Sequence, residues 1–458
     1  MRSLATLLAA IALAGSATAQ NTILFSFDED ELTLDNGNGL FEIGELHQDE
    51  IGVVTPGVGF YSAEPFLPLG AQWAYLGDAD SDGRYADDSV DGPGDEVDAL
   101  FVKANHVGPV TPRDVFMSRE TEDGYGPGFL DSDVFRFAGP NGALEVFLTE
   151  AEIVNAIGQA PGSDVDLDAI CQAADGALYL SFSLDESVGG VTAGDGALIC
   201  IPAVAITYDA QGNVSSILTN TAAIVATESD MDALVINSGV VTSVGGSPSY
   251  SDLSALEIDP AGGTWAAPQF PGTDLQNMLF GWEGFSNDGA ILSTAGGGTI
   301  ATINGIPMGS TIATPGTHIG MLPDSTGLGG INGLALIPTQ DAPFVVENYP
   351  RNLITSMPSW HQLQYSGATP NGTIAVTVNL GPTTTGGALP SQFIAPFGEL
   401  FGNLITFQVL FNVPADSAGQ ASVSTVINIP GLVGQNLVFQ GIDVTSARLS
   451  TPAALQFL

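Results

Sequence analysis

The chain has very little positive charge. Its 458 residues carry 8 Lys plus Arg against 51 Asp plus Glu, and Lys103 is the only lysine. The formal charge of −43 argues against nucleic acid as a partner, because affinity for phosphate comes mainly from Lys and Arg that neutralise it. Histidine is scarce too: His47, His106, His318 and His361 are far apart and form no His-x-His or His-x-x-x-His pair, so the spacing offers no zinc site. No stretch reaches the ~18 uninterrupted apolar residues of a spanning helix, and the mature protein is expected to be soluble. Gly-x-Ser-x-Gly, Gly-Lys-Ser and Gly-x-Gly-x-x-Gly in a strand-to-helix setting are all missing, which leaves serine-hydrolase and nucleotide chemistry without support. Paired carboxylates for glycoside hydrolysis stay open, since any pair is uninformative in so acidic a chain.

Only two cysteines occur, Cys171 and Cys200. If segments 169–173 and 197–201 are first and third strands of one sheet, the strand between them separates the thiols by ~9.5 Å, too far to bridge. An exported chain can also keep a disulfide, and the sequence leaves both open.

Export is expected from the N-terminus. Arg2, the short apolar run 4–13 and the small residues Ala17-Thr18-Ala19 follow the order of a cleaved signal peptide, residues 1–19. The protein is then secreted or held at the cell surface. With 44% hydrophobic residues the chain has enough apolar surface to fold. Its 57 Gly, 28 Pro and excess of Asp over Glu favour turns over helices.

The length calls for at least two domains, and the charge divides them. From Arg351 onward three acids face two arginines, a net −1, whereas residues 21–349 carry −43. The expected boundaries are 20–345 and 346–458. In the acidic part a weak repeat recurs: Glu96-Val97-Asp98-Ala99-Leu100, Asp166-Leu167-Asp168-Ala169-Ile170 and Asp230-Met231-Asp232-Ala233-Leu234. Degraded copies are Asp252-Leu253-Ser254-Ala255-Leu256 and Gly330-Ile331-Asn332-Gly333-Leu334, with Trp282-Glu283-Gly284-Phe285 a doubtful sixth. In the better copies a Gly-containing turn and a second strand follow, a hairpin signal. The uneven spacing suits an irregular β-propeller whose blades carry loops of different length, favoured over a large β-sandwich or two smaller ones. One helix is predicted over 149–157, with a Thr149/Glu152 capping box and Gly158 as its stop, as a connector between blades.

The C-terminal part alternates with period two. Ile374, Val376, Val378 and Leu380 share a face, as do Ile405, Phe407, Val409, Phe411 and Val413, and Val423, Thr425, Ile427 and Ile429. These read as half-buried strands of an antiparallel β-sandwich. The fold class is therefore all-β.

The most specific local motif is Asp78-Ala79-Asp80-Ser81-Asp82-Gly83-Arg84. Three carboxylates at alternate positions converge on a cation if the chain curls, Gly83 permits the turn, and the Arg84 carbonyl joins them; calcium fits best, in a structural role. The twelfth position is Ser89 rather than Glu, so Asp87, Asp88 or Asp91 must close the site. Against it stands a solvated acidic loop. The repeat offers a second set: Asp98, Asp168 and Asp232 become pseudo-symmetric and ring a channel mouth if the repeat marks one strand per blade. Turn capping by each Asp is the favoured alternative. Asp164, Asp166 and Asp168 are expected to share one strand face, as are Asp230 and Asp232. Trp73, Trp265, Trp282 and Trp360 are expected in the core rather than on sugar rings.

Asp166 to Ser183, preceded by Asp131-Ser132-Asp133-Val134-Phe135-Arg136-Phe137, resembles the propeller-like repeats of uncharacterised, exported planctomycete-type bacterial proteins. The stretch from Ile429 to Gly441, followed by Arg448-Leu449-Ser450-Thr451, is similar to a terminal β-domain of such proteins, of a sorting or attachment type. The resemblance implies export and β architecture, and it brings no reaction or catalytic residues with it.

The expected function is that of an exported, calcium-stabilised binding or cell-surface protein, a monomer whose ligand is a cation or a carbohydrate. The alternatives are a calcium-dependent propeller hydrolase of phosphoesterase or lactonase type and a structural matrix component.

Overall fold

The computed structural model describes residues 21–26, 31–33, 44–46, 51–54, 64–67, 97–103, 106–108, 110–118, 130–137, 144–231, 252–258, 278–283, 292–293, 301–303, 306–308, 331–338, 343–349, 352–353, 359–380, 391–395, 397–401, 405–417, 419–427 and 436–457. Strands dominate them, in several antiparallel sheets. The expected signal peptide, residues 1–19, and the acidic stretch around Asp80, with Asp232, His47, His318, Trp73 and Trp265, lie outside the described residues.

Among the described residues of the acidic part are four sheets of three or four strands, beside four two-stranded ones. Sheet I begins with β1 (Asn21–Ser26), β2 (Ile51–Val54) and β3 (Glu64–Leu67). Sheet II is β4 (Leu100–Val102), β5 (Val115–Met117), β6 (Val134–Phe137) and β7 (Leu144–Leu148). Sheet III is β8 (Leu167–Gln172), β9 (Leu178–Phe182), β10 (Leu198–Ile201) and β11 (Ala223–Ala226). Sheet IV is β12 (Asp252–Ile258), β13 (Met278–Glu283) and β14 (Leu292–Ser293). Then β15 (Gly333–Pro338) returns to sheet I and pairs antiparallel with β1 along its length, from Asn21 opposite Pro338 to Ser26 opposite Gly333. One sheet is thus made from both ends of the acidic part.

The leading strands of these sheets touch in turn. β4 packs on β8, β8 on β12, β12 on β15, and β15 on β4. Two cores lie between them: one joins sheets II, III and IV with the helix, and the other joins sheets I and II through Leu24, Ile51, Leu100, Val115 and Ile337. The predicted helix is present as α1 (Glu150–Ile157), capped by Thr149 with its reciprocal Glu152 bond and ended by Gly158 at φ 80°. It connects β7 to β8, and the main-chain NH of Glu150 donates to Asp133 Oδ1 at 2.8 Å.

The two cysteines sit as the first-and-third-strand geometry requires. Cys171 on β8 and Cys200 on β10 both lie opposite Tyr179 of the intervening β9, and both are free thiols. Burial pushes the Cys171 thiol up, with the nearby charge of Glu257 adding to it, so it behaves as a small core residue.

After β15 the described residues form two larger sheets and the hairpin of Ser391–Ile394 and Gly398–Phe401. β16 (Val345–Tyr349), β18 (Ser359–Ser366) and β21 (Ala421–Ile427) make a three-stranded sheet. β17 (Asn352–Leu353), β19 (Thr373–Leu380), β20 (Gln408–Pro414), β22 (Asn436–Asp443) and β23 (Ala453–Phe457) belong to the larger one, in the order β17-β23-β22-β19-β20. All pairs are antiparallel except β17 with β23. Phe344, Val346, Leu363 and Tyr365 meet Ile374, Val376, Phe439 and Leu455 in one core. Val345 itself packs with sheets I and II.

One expected strand is not half-buried. β20 leaves Val409 54%, Leu410 45% and Phe411 43% exposed. It is the last strand of the larger sheet.

His361, on β18, is 1% exposed with its ring 5.4 Å from that of Phe439, and its Nε2 has no hydrogen-bond partner among the described residues. Burial lowers its pKa from 6.5 to about 4. In this interval the unfolded state binds more protons than the folded one, so stability falls as pH drops through it. Urea midpoints of the C-terminal part should decline from pH 7 to pH 4.5, and His361→Gln should flatten that decline; parallel curves for the two proteins would contradict it.

Candidate functional site

The four leading strands begin with the same four-residue pattern. An apolar residue (Val97, Leu167, Leu253, Ile331) is followed by a polar one (Asp98, Asp168, Ser254, Asn332), a small one (Ala99, Ala169, Ala255, Gly333) and an apolar one (Leu100, Ile170, Leu256, Leu334). All are buried, the polar positions being 5%, 5%, 0% and 3% exposed. The small position has a steric cause at Gly333: a Cβ there would lie 2.5 Å from Ser26 Oγ and 2.7 Å from the Leu100 side chain. Packing this close leaves no room for a side chain at Gly333.

The polar position is set by a bulge in two copies. Leu167 faces Phe182 and Ala169 faces Ser181, so Asp168 is the extra residue; the shift between Asp252 and Ala255 brackets Ser254 in the same way. Bulges re-aim a side chain away from the ladder. Neighbouring sheets are then tied by serines. Ser26 Oγ donates to the Val97 carbonyl at 3.0 Å, Ser132 Oγ to Val165 at 2.5 Å, and Ser254 Oγ to Ile331 at 2.8 Å. Each joins one sheet to the start of the next sheet's leading strand.

The third repeat copy departs from the expectation. Asp230 and Met231 lie in a helical turn, residues 228–231, not on a strand. Asp230 accepts from the Thr227 NH and hydroxyl at 3.0 and 2.7 Å, and its own NH donates back to Thr227 Oγ1. This capping box outweighs the strand pattern. The circuit takes its third and fourth members from the degraded copies at Ser254 and Asn332. Nor do Asp164, Asp166 and Asp168 act together: β8 starts at Leu167, Asp164 is exposed, Asp166 Oδ2 accepts from Ser183 Oγ at 2.5 Å, and Asp168 is buried.

Asp164 instead comes within 4.8 Å, oxygen to oxygen, of Asp131 and Glu150, at the junction of sheets II and III. Asp131 (8% exposed) also accepts from the Ser132 NH at 2.8 Å, and Glu150 (5% exposed) opens α1. No spacing signal marks this trio, because its members come from a turn, a helix start and a strand approach. Three carboxylates this close together could hold a metal ion.

Two of the scarce cations tie sheet II to a neighbouring hairpin. Lys103 Nζ donates to the Gly212 carbonyl at 2.8 Å and lies 4.9 and 5.0 Å from the Phe116 and Phe147 ring centroids. Burial, reinforced by the Arg136 charge, lowers its amine from 10.5 to about 8. Arg136 stacks on Phe116 at 5.1 Å, approaches Glu145 at 3.6 Å and donates to the Gln211 carbonyl. Both residues fasten sheet II to the hairpin of Ile206–Tyr208 and Val214–Ile217.

No family model matches the chain, and neither a curated protein nor a solved structure is detectably similar to it.

The serine ties predict a specific energetic pattern. Replacing Ser26, Ser132 or Ser254 by Ala leaves a carbonyl at a buried junction without its donor, at a cost of about 1–3 kcal/mol each. Ser215→Ala, which removes an exposed bond to the Thr207 carbonyl, should cost under ~0.5 kcal/mol. Urea midpoints of the four variants test this, and equal effects at all four positions would contradict it.

Proposed function

We propose that the chain is an exported, calcium-stabilised binding protein of the cell exterior, with a four-bladed β-propeller as its platform and a C-terminal β-sandwich as its attachment module. The observation that carries this reading is the circuit of leading strands β4, β8, β12 and β15, joined through β1 on β15. Such an arrangement has the logic of a propeller, in which the first strand of the chain completes the last blade. A rigid ring of this type holds its inter-blade loops as a binding face, for which a cation or a carbohydrate remains the proposed ligand.

The hydrolase reading needs several carboxylates acting as a set at the channel mouth. The matched positions carry Asp98, Asp168, Ser254 and Asn332 instead, all buried, and the Ser254 hydroxyl is engaged by Ile331. Other acids serve the backbone: Asp133 caps α1, Asp209 receives the Gln211 and Asn213 amides, and Asp443 receives those of Thr369 and Thr445. These uses favour acids as architecture.

Calcium is assigned to Asp78, Asp80 and Asp82 with the Arg84 carbonyl and a closing acid from Asp87 or Asp88, on sequence spacing alone. A ligand that binds only the folded state stabilises it by about 2.7 kcal/mol at 100 times its Kd. The melting temperature should therefore rise when calcium replaces chelator, and Asp80→Asn with Asp82→Asn should abolish most of that rise. An identical melting temperature with calcium and with chelator would remove calcium from the account.

A further inference from the structure

We propose that β20 is the pairing edge of a two-fold homodimer, in which the β20 strands of two copies lie antiparallel and join their larger C-terminal sheets. The inference starts from an edge that has been left open. Among the described residues β20 pairs only with β19, on one side, and every residue from Gln408 to Asn412 is exposed. An open edge presents a row of main-chain donors and acceptors, and natural proteins usually protect it with charge, proline or a strong bulge. Here the protection is slight. Pro414 stands at the end of the strand, and one irregularity places Leu410 between the pairs Val376–Phe411 and Thr377–Val409.

The charge pattern selects the occupant. In a chain with 51 acids, no charged residue lies between Glu399 and Asp416. An isologous contact sets each residue near the two-fold axis against its own copy, so a single acid there would meet an identical acid. Like charges directly opposite on paired strands destabilise them. The strand Gln408-Val409-Leu410-Phe411-Asn412 is self-complementary in this sense: with the axis near Leu410, Gln408 approaches Asn412 and Val409 approaches Phe411 of the second copy. A cationic partner would be drawn to the acidic part instead. Repulsion between two copies, each −43 overall, is least when they meet through the C-terminal part, which carries −1 from Arg351 onward. Val107 and Val204 are exposed in the acidic part, whereas Ile405, Val426 and Val444 are exposed in the same C-terminal part as β20. This dimer departs from the monomer expected from sequence, and it does not depend on the propeller or calcium assignments.

Sedimentation of the mature chain over ~1 to ~100 μM, at about 0.05 and 0.5 M salt, tests the proposal. A reversible dimer that tightens with salt is expected, because screening weakens the repulsion between acidic parts while the apolar contact persists. Leu410→Glu should weaken dimerisation at least tenfold, whereas Val204→Glu should leave it unchanged. Leu410 is exposed, so the variant is expected to fold; hydrogen exchange of residues 408–414 in the unaltered protein, slowing as concentration rises, gives the same answer without a substitution. A monomer throughout the range overturns the proposal, as does a dimer that survives Leu410→Glu or an assembly that grows beyond two copies.

Discussion

The N-terminal part depends on four strands approaching one another closely. Ala99, Ala169, Ala255 and Gly333 stand where those strands meet, and at Gly333 even one added carbon would collide with Ser26 and Leu100. Large apolar residues on either side fill the two cores, so the small position sets the spacing while its neighbours supply the burial. The serine bonds at three junctions then fix the order of the sheets, since each satisfies a carbonyl that the packing removes from water.

This arrangement changes how the acidity is understood. A surface of one sign keeps a protein soluble at some cost in self-repulsion. Many of the described carboxylates receive main-chain amides at turns and helix starts, as at Asp133, Asp209, Asp230 and Asp443. Asp443 shows the balance: burial pushes its carboxyl up, yet hydrogen bonds from Ser446 and Thr369 outweigh this and hold it at about 2. The few bases are placed with equal economy, Lys103 and Arg136 both resting on aromatic rings where sheet II meets its neighbour.

Much of this was legible in the sequence. The capped helix at Thr149 and the repeat at Asp98 and Asp168 follow from local rules of capping and alternation, whereas the state of Cys171 and Cys200 was open until their strands were placed first and third in one sheet. The third repeat copy misled because Thr227 and Asp230 also spell a helix cap, and the shorter-range signal prevailed. Ser254 and Asn332 depart from the acidic signature yet meet what the position requires, a buried polar group. The trio of Asp131, Glu150 and Asp164 is assembled by tertiary contact, which no spacing rule encodes. Period two in β20 identified a face and could not say whether a second layer covers it.

The C-terminal part follows a different logic, with two sheets around one core and almost no net charge. What binds the account together lies in the first part, where β1 must complete the sheet begun by β15. Native-state hydrogen exchange of residues 21–26 and 333–338 tests that claim most directly. The account predicts that both segments exchange together, through the global unfolding of the N-terminal part. Exchange of residues 21–26 at much lower free energy, with 333–338 still protected, would contradict it.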